Sequence, residues 1–77
     1  MSQTERVLSA VAVDDPRIPS RICGLLVQRA VPVTRIELRR EVNTWAIRLV
    51  VRVAGDAEAR LVAERLNRLV GVVEVSC

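Results

Sequence analysis

The sequence predicts an α+β domain, one four-stranded antiparallel sheet carrying two helices on a single face. Three observations predict it. Apolar residues fill 51% of the 77 positions, which suits one small core spanning residues 1–77 and is far too many for a disordered tail. Their spacing alternates between a period near 2 and a period near 3.6, in the order β-α-β-β-α-β. The changes fall at Asp14-Asp15-Pro16, Pro32, Asn43 and Gly55-Asp56, all turn or cap formers.

Val7 to Val13 reads VLSAVAV, nearly all apolar, as in a central strand with little water on either side. Asp15 is then placed to cap a helix and Pro16 to open it, since the first helical residue needs no N–H partner. Ile18, Ile22, Leu25 and Leu26 form one apolar stripe, Pro19 fits the first turn, and Pro32 ends the helix. Cys23 beside that stripe reads as a small core residue, and Gly24 as a site of close helix packing.

Val33 to Arg40 alternates, with Ile36 and Leu38 on one side and Arg35, Glu37 and Arg39 on the other. Trp45 to Val53 alternates more cleanly. Trp45, Ile47, Leu49, Val51 and Val53 face one way, and Arg48 and Arg52 face the other. Trp45 reads as an anchor at the strand end. Asp56 is placed to cap a second helix whose inner face carries Ala59, Val62, Ala63, Leu66, Leu69 and Val70. Arg60–Glu64 and Glu64–Arg68 are spaced as ion pairs on its outer face, each worth roughly 0.2–0.5 kcal/mol. Gly71 suits the position after the helix, and Val72 to Val75 is a short last strand. Two right-handed crossovers around a hairpin make this a ferredoxin-like βαββαβ sandwich, with strand order 2-3-1-4.

Composition narrows function. The net charge is +3, and the twelve basic residues, all Arg, are interleaved with nine acids, as on a mixed solvated surface. There is no Phe, Tyr or His, and one Trp. Readers of single-stranded nucleic acid stack bases on aromatic faces, so a nucleic-acid partner is not expected. Acid–base and metal chemistry lean on His, so an enzyme is not expected either. No Gly-rich loop follows Arg17 to cradle a phosphate. No apolar run approaches the ~20 residues of a membrane helix, and the polar start, Met1 to Arg6, lacks a signal core. Cys23 and Cys77 fit no CxxC spacing, so neither a disulfide framework nor a metal site is expected, and a reducing cytoplasm is the default. Cys77 reads as an exposed terminal thiol.

Two stretches carry a family resemblance. Asp15-Pro16-Arg17-Ile18-Pro19-Ser20-Arg21-Ile22-Cys23-Gly24-Leu25-Leu26 resembles an acid-Pro-Gly start followed by Ser-Arg, two apolar positions and Gly-Leu. Gly55-Asp56 with Leu66-Asn67-Arg68-Leu69-Val70-Gly71-Val72-Val73-Glu74-Val75 resembles the same family's Gly-Asp start and its Leu-Asn-Lys-Leu end. Together they resemble the ACT domain of the small regulatory subunit of acetolactate synthase (acetohydroxyacid synthase), over nearly the whole chain. Two positions depart. Arg17 stands where the family has a ligand-loop Gly, and Ala30-Val31-Pro32 where it has a Gly-aromatic-Asn turn.

The resemblance implies a non-catalytic regulatory subunit that pairs edge to edge as a homodimer and activates a large catalytic subunit. It also implies an allosteric amino-acid site between two paired domains, here Asp14, Arg17 and Ile18 of one chain with Pro32 and Val33 of the other, taking a branched-chain amino acid. No cofactor is implied in this chain. Thiamine diphosphate, FAD and magnesium are implied on the catalytic partner. A free-standing amino-acid sensor with another client is the alternative. The charged sheet face (Arg35, Glu37, Arg39, Arg48, Arg52) reads either as solvated cross-strand pairs or as a docking surface for the large subunit.

Overall fold

The computed structural model describes residues 3–76, so Cys77 lies outside the described residues. The chain runs β1 (Thr4–Val13), α1 (Ile18–Gln28), β2 (Val33–Arg40), β3 (Thr44–Val53), α2 (Asp56–Asn67) and β4 (Val72–Ser76). The four strands form one sheet in the order β2-β3-β1-β4, every neighbouring pair antiparallel, as predicted. The buried core is one cluster. β1 gives it Leu8, Ala10 and Ala12, and β3 gives Ile47, Leu49, Val51 and Val53. Ile18, Ile22 and Leu26 of α1 and Ala59, Val62 and Leu66 of α2 close over them. Each fully buried Leu, Ile or Val side chain is worth about 1.5–3 kcal/mol.

Several boundaries differ from the sequence reading, each for a local reason. β1 starts at Thr4, because ten-residue β3 continues to offer it backbone partners, out to Val53 opposite Thr4. β1 is also not buried on both faces. Both helices lie on the Leu8–Ala10–Ala12 side, which leaves Val7, Val11 and Val13 of the other face 44%, 38% and 43% exposed. Cys23 is exposed rather than buried. At Gly24 a Cβ would meet no atom within 4 Å, so that glycine serves no close approach.

α1 begins two residues later than Pro16. Asp15 stays in the preceding turn, where its carboxylate accepts the Arg17 N–H (2.9 Å). The helix ends at Gln28, before Pro32 can stop it. Ala30 turns left-handed (φ +52°), the Val31 N–H donates to the Leu26 carbonyl (2.9 Å) and the Ala30 N–H to Val27 (3.1 Å). That is a full Schellman closure with alanine in the position that favours glycine. Pro32 belongs instead to the sheet, its carbonyl accepting the Arg52 N–H at 2.9 Å.

At α2, Gly55 holds the cap position in extended backbone and Asp56 is the first helical residue. The Glu58 carboxylate reaches back to accept the Ala54 N–H (2.9 Å), and Asp56 pairs with Arg6 of β1. Both acids suit the positive end of the helix. α2 ends at Asn67, so Leu69 packs on the core from the following turn while Val70 is 74% exposed. The Arg60–Glu64 and Glu64–Arg68 pairs are not formed among the described residues.

Gly71 is not the helix cap but the entry to β4, with φ +97° and its carbonyl accepting the Val13 N–H at 2.8 Å. A Cβ there would sit 2.8 Å from Ile18 Cδ1 and 3.2 Å from Val13 Cγ2. Gly71→Ala therefore combines a clash with a disfavoured dihedral, and is expected to lower the melting temperature by several degrees. Ala30→Gly is expected to raise it. Relief of the left-handed alanine, roughly 1–2 kcal/mol, outweighs the added freedom of the unfolded chain, roughly 0.4–1 kcal/mol. Thermal unfolding of the two variants beside the parent chain checks both signs.

Candidate functional site

The loop between β1 and α1 is built around two adjacent carboxylates. Asp14 takes a two-pronged contact from Arg40 at the end of β2, with Nε to Oδ1 at 2.9 Å and Nη2 to Oδ2 at 3.1 Å. Asp15 takes the same kind of contact from Arg17, with Nε to Oδ1 at 3.2 Å and Nη2 to Oδ2 at 3.1 Å. Arg21 adds a third cation, its Nη1 lying 3.4 Å from Asp15 Oδ2 and donating to the Val70 carbonyl at 3.0 Å. The Asp15 carbonyl accepts from Trp45 Nε1 (3.0 Å) and from the Ile18 N–H (3.1 Å). Asp15 thus ties the loop to α1, to the start of β3 and to the turn before β4. Trp45 is the strand-end anchor that the sequence predicts.

Hydrogen bonds from the Arg17 side chain, then from its backbone N–H, hold the Asp15 carboxyl below the usual carboxylate range. Asp15 raises the Arg17 pKa in return, and Asp14 raises that of Arg40. The pairs remain largely open to water, with the Arg17 and Arg40 side chains 73% and 64% exposed.

The structure brings Asp14, Arg17 and Ile18 together at this loop. The Ile18 side chain is fully buried in the core, so what it presents at the loop is backbone, already donating to Asp15. Pro32 and Val33 lie at the opposite end of β2. Val33 pairs with Val51, whereas Arg40, beside Asp14, pairs with Trp45. Eight residues of strand put the two groups roughly 20–25 Å apart within one chain. Between them runs the outer edge of β2, which has a strand neighbour on one side alone, β3. An apolar groove of about 450 Å³ lies beside that edge, lined by Cys23, Leu26, Val27, Ala30, Val31 and Ile36 among others.

The sequence reading missed Arg40, Arg21 and Trp45 as partners of the two acids. Arg40 carried a signal. It falls in phase with Ile36 and Leu38 on the helix side of β2, where a charge needs a partner. Arg21 and Trp45 meet Asp15 through tertiary placement, which spacing does not encode. No group of three or more metal-ligating side chains occurs among the described residues, and no helix there is long and apolar enough to cross a membrane.

No family model matches the chain, and no curated protein matches it in sequence. Solved structures do match it in fold. The ACT domain from GTP pyrophosphokinase of Chlorobium tepidum superposes with a TM-score of 0.85 at 16% identity, over 97% of each chain. The C-terminal domain of the MgtC protein from Mycobacterium tuberculosis gives 0.74 at 15% identity, over 97% of this chain and 84% of that one. A homoserine dehydrogenase from Thiobacillus denitrificans gives 0.72 at 14% identity, over 96% of this chain and 16% of that one. The ferredoxin-like architecture of ACT domains is therefore the fold of this chain.

The Asp15 shift sets a pH dependence. A carboxyl whose pKa is lower in the folded state stabilises that state above its unfolded pKa, and the stabilisation is lost as pH falls through the folded value. Asp15→Asn is expected to melt below the parent chain at neutral pH. The gap should narrow once the pH drops below about 4. Melting curves from about pH 7 to about pH 3 read the difference, and an equal gap at every pH would reject the assignment.

Proposed function

We propose that this chain is a non-catalytic regulatory module, the small subunit of an acetolactate synthase, paired with a second copy through the β2 edge. One observation carries the pairing. The two halves of the candidate site lie at opposite ends of one exposed edge strand. When β2 pairs antiparallel with its copy, the start of one strand lies beside the end of the other. Pro32 and Val33 of the second copy then come next to Arg40, Asp14 and Arg17 of the first. The groove beside β2, with Val27 81% exposed, would be covered in the same step.

The chemistry at that junction suits an α-amino acid. Asp14 accepts from an ammonium group, and Arg17 or Arg40 can donate to a carboxylate in the two-pronged geometry each already makes. Both pairs are exposed ion pairs, which contribute little to stability, so exchanging an internal partner for a ligand costs little. A ligand at such a junction contacts two chains at once. It would favour one arrangement of the pair, and pass that preference to a catalytic subunit whose states differ in affinity for it. The assignment to acetolactate synthase is supported by the Asp15–Leu26 and Leu66–Val75 stretches together with the ACT-type fold. Thiamine diphosphate, FAD and magnesium would belong to the catalytic subunit.

Added to the catalytic subunit of acetolactate synthase from the same source, the chain is expected to raise its rate of acetolactate formation. No change at any ratio would overturn the assignment. Among the twenty amino acids, a branched-chain one is expected to raise the melting temperature, and a flat panel would remove the effector. Val27→Glu, a surface change beside the edge, is expected to abolish edge pairing and, with it, that shift.

A further inference from the structure

The sheet face away from the helices carries an apolar patch among charged residues. β1 places Val7, Val11 and Val13 on it, and β3 adds Ala46 and Val50. Glu5 and Ser9 of β1 and Thr44, Arg48 and Arg52 of β3 share that face, so the apolar band is interrupted at Ser9 and Arg48. Charged groups surround this patch and, at Arg48, interrupt it. Arg39 and Arg48 make no ion pair among the described residues, and neither does Glu74 of β4.

We infer that this face is a second self-association surface, packed against the same face of another copy about a two-fold axis running along the strands between β1 and β3. The inference does not rest on pairing through β2. Such an axis lays each residue over the copy of its own cross-strand neighbour. The register therefore states the interface. Val7 opposes Val50, Val11 opposes Ala46, and Arg48 opposes Ser9 of the other copy, since those are the β1–β3 pairs within a chain. Val11 and Arg48 each meet a smaller residue, and Val7 meets one of its own size. Ser9 and Ala46 line part of a shallow trough of about 820 Å³ that the partner's Val11 would enter.

The outer strands extend the match. Arg39 neighbours Ala46 and Glu74 neighbours Val11, so the same axis sets Arg39 over Glu74 of the other copy, twice by symmetry. Facing sheets lie about 10 Å apart, a gap that Arg and Glu can bridge together. The usual crossing of about 30° between packed sheets pivots on the Val11–Ala46 centre, so the inner pairs persist. A two-fold across the strands through that centre would instead stack Arg39 on Arg39 and Glu74 on Glu74. The outer charges favour the first orientation, against the cost of bringing the two Arg48 side chains to either side of the axis.

The face axis lies in the sheet, while an edge axis at β2 stands normal to it, and the two do not meet. Chains using both surfaces would extend as a ribbon instead of closing. Sedimentation mass against concentration tests the proposal. The native chain is expected to grow past a dimer, and Val27→Glu to stop at a dimer held by the face. In either background Val11→Asp should remove face association. Arg39→Glu should weaken it by roughly tenfold or more, and Arg39→Glu with Glu74→Arg should restore it. Both charge positions are exposed at the sheet's outer strands, so these variants test the surface without disturbing the core. Masses unmoved by Val11→Asp and by Arg39→Glu would overturn the proposal. So would an Arg39→Glu loss that the double exchange fails to restore, which would give the face to another orientation or another partner.

Discussion

Both helices share one side of the sheet, and the surfaces left open to partners are a consequence of that packing. β1 can bring the helices close because its helix-side row narrows from Leu8 to Ala10 and Ala12, which leaves room for Ile18, Ile22 and Leu66 to fill the layer. Among the described residues the other side then has no cover, and β2, placed outermost next to β3, has an edge with no strand beside it. A closed core and an open face thus share one cause, and the open edge follows from the sheet's strand order. The face and the edge are where a second chain can add to the sheet.

The loop after β1 is where the layers are tied together. Trp45 reaches it from β3, Arg21 from α1 and Arg40 from β2, and all three converge on two neighbouring acids. The Arg21 and Trp45 contacts are partly buried, while the Arg40 and Arg17 pairs are charged and open to water, so these pairs shape the loop without contributing much stability. The same property suits a site that must trade internal partners for a ligand. A loop held by buried, fully desolvated pairs would lose far more on exchange, because a charge left alone in the interior is strongly destabilising.

The architecture was legible because the alternation of Trp45 to Val53 and the stripe Ile18, Ile22, Leu26 are unambiguous, and because the topology of six such elements leaves few arrangements. Element ends were not. Thr4 to Arg6 carry no apolar pattern and are strand because β3 is long enough to pair with them. Ala30 gives no sign that it will adopt a left-handed turn, so Pro32, the visible breaker, drew the boundary too late. Asp14 and Arg17 could be placed together by adjacency. That Pro32 and Val33 stand at the far end of β2 depends on strand length and direction.

The apolar content of β1 gains its meaning from the size of the core. A chain of 77 residues buries a modest share of its surface, and a core made from thirteen side chains, three of them alanine, leaves little margin over the entropy of ordering the backbone. Valines held at the surface of a central strand add nothing to that margin in a lone chain. They add to it when another sheet removes them from water. If the face associates as proposed, stability and association depend on the same surface, and the folded population would rise with concentration. A polar replacement at Val7 or Val13 would make the lone chain more at home in water and the assembled one less stable. This opposition separates an unfinished surface from a merely greasy one.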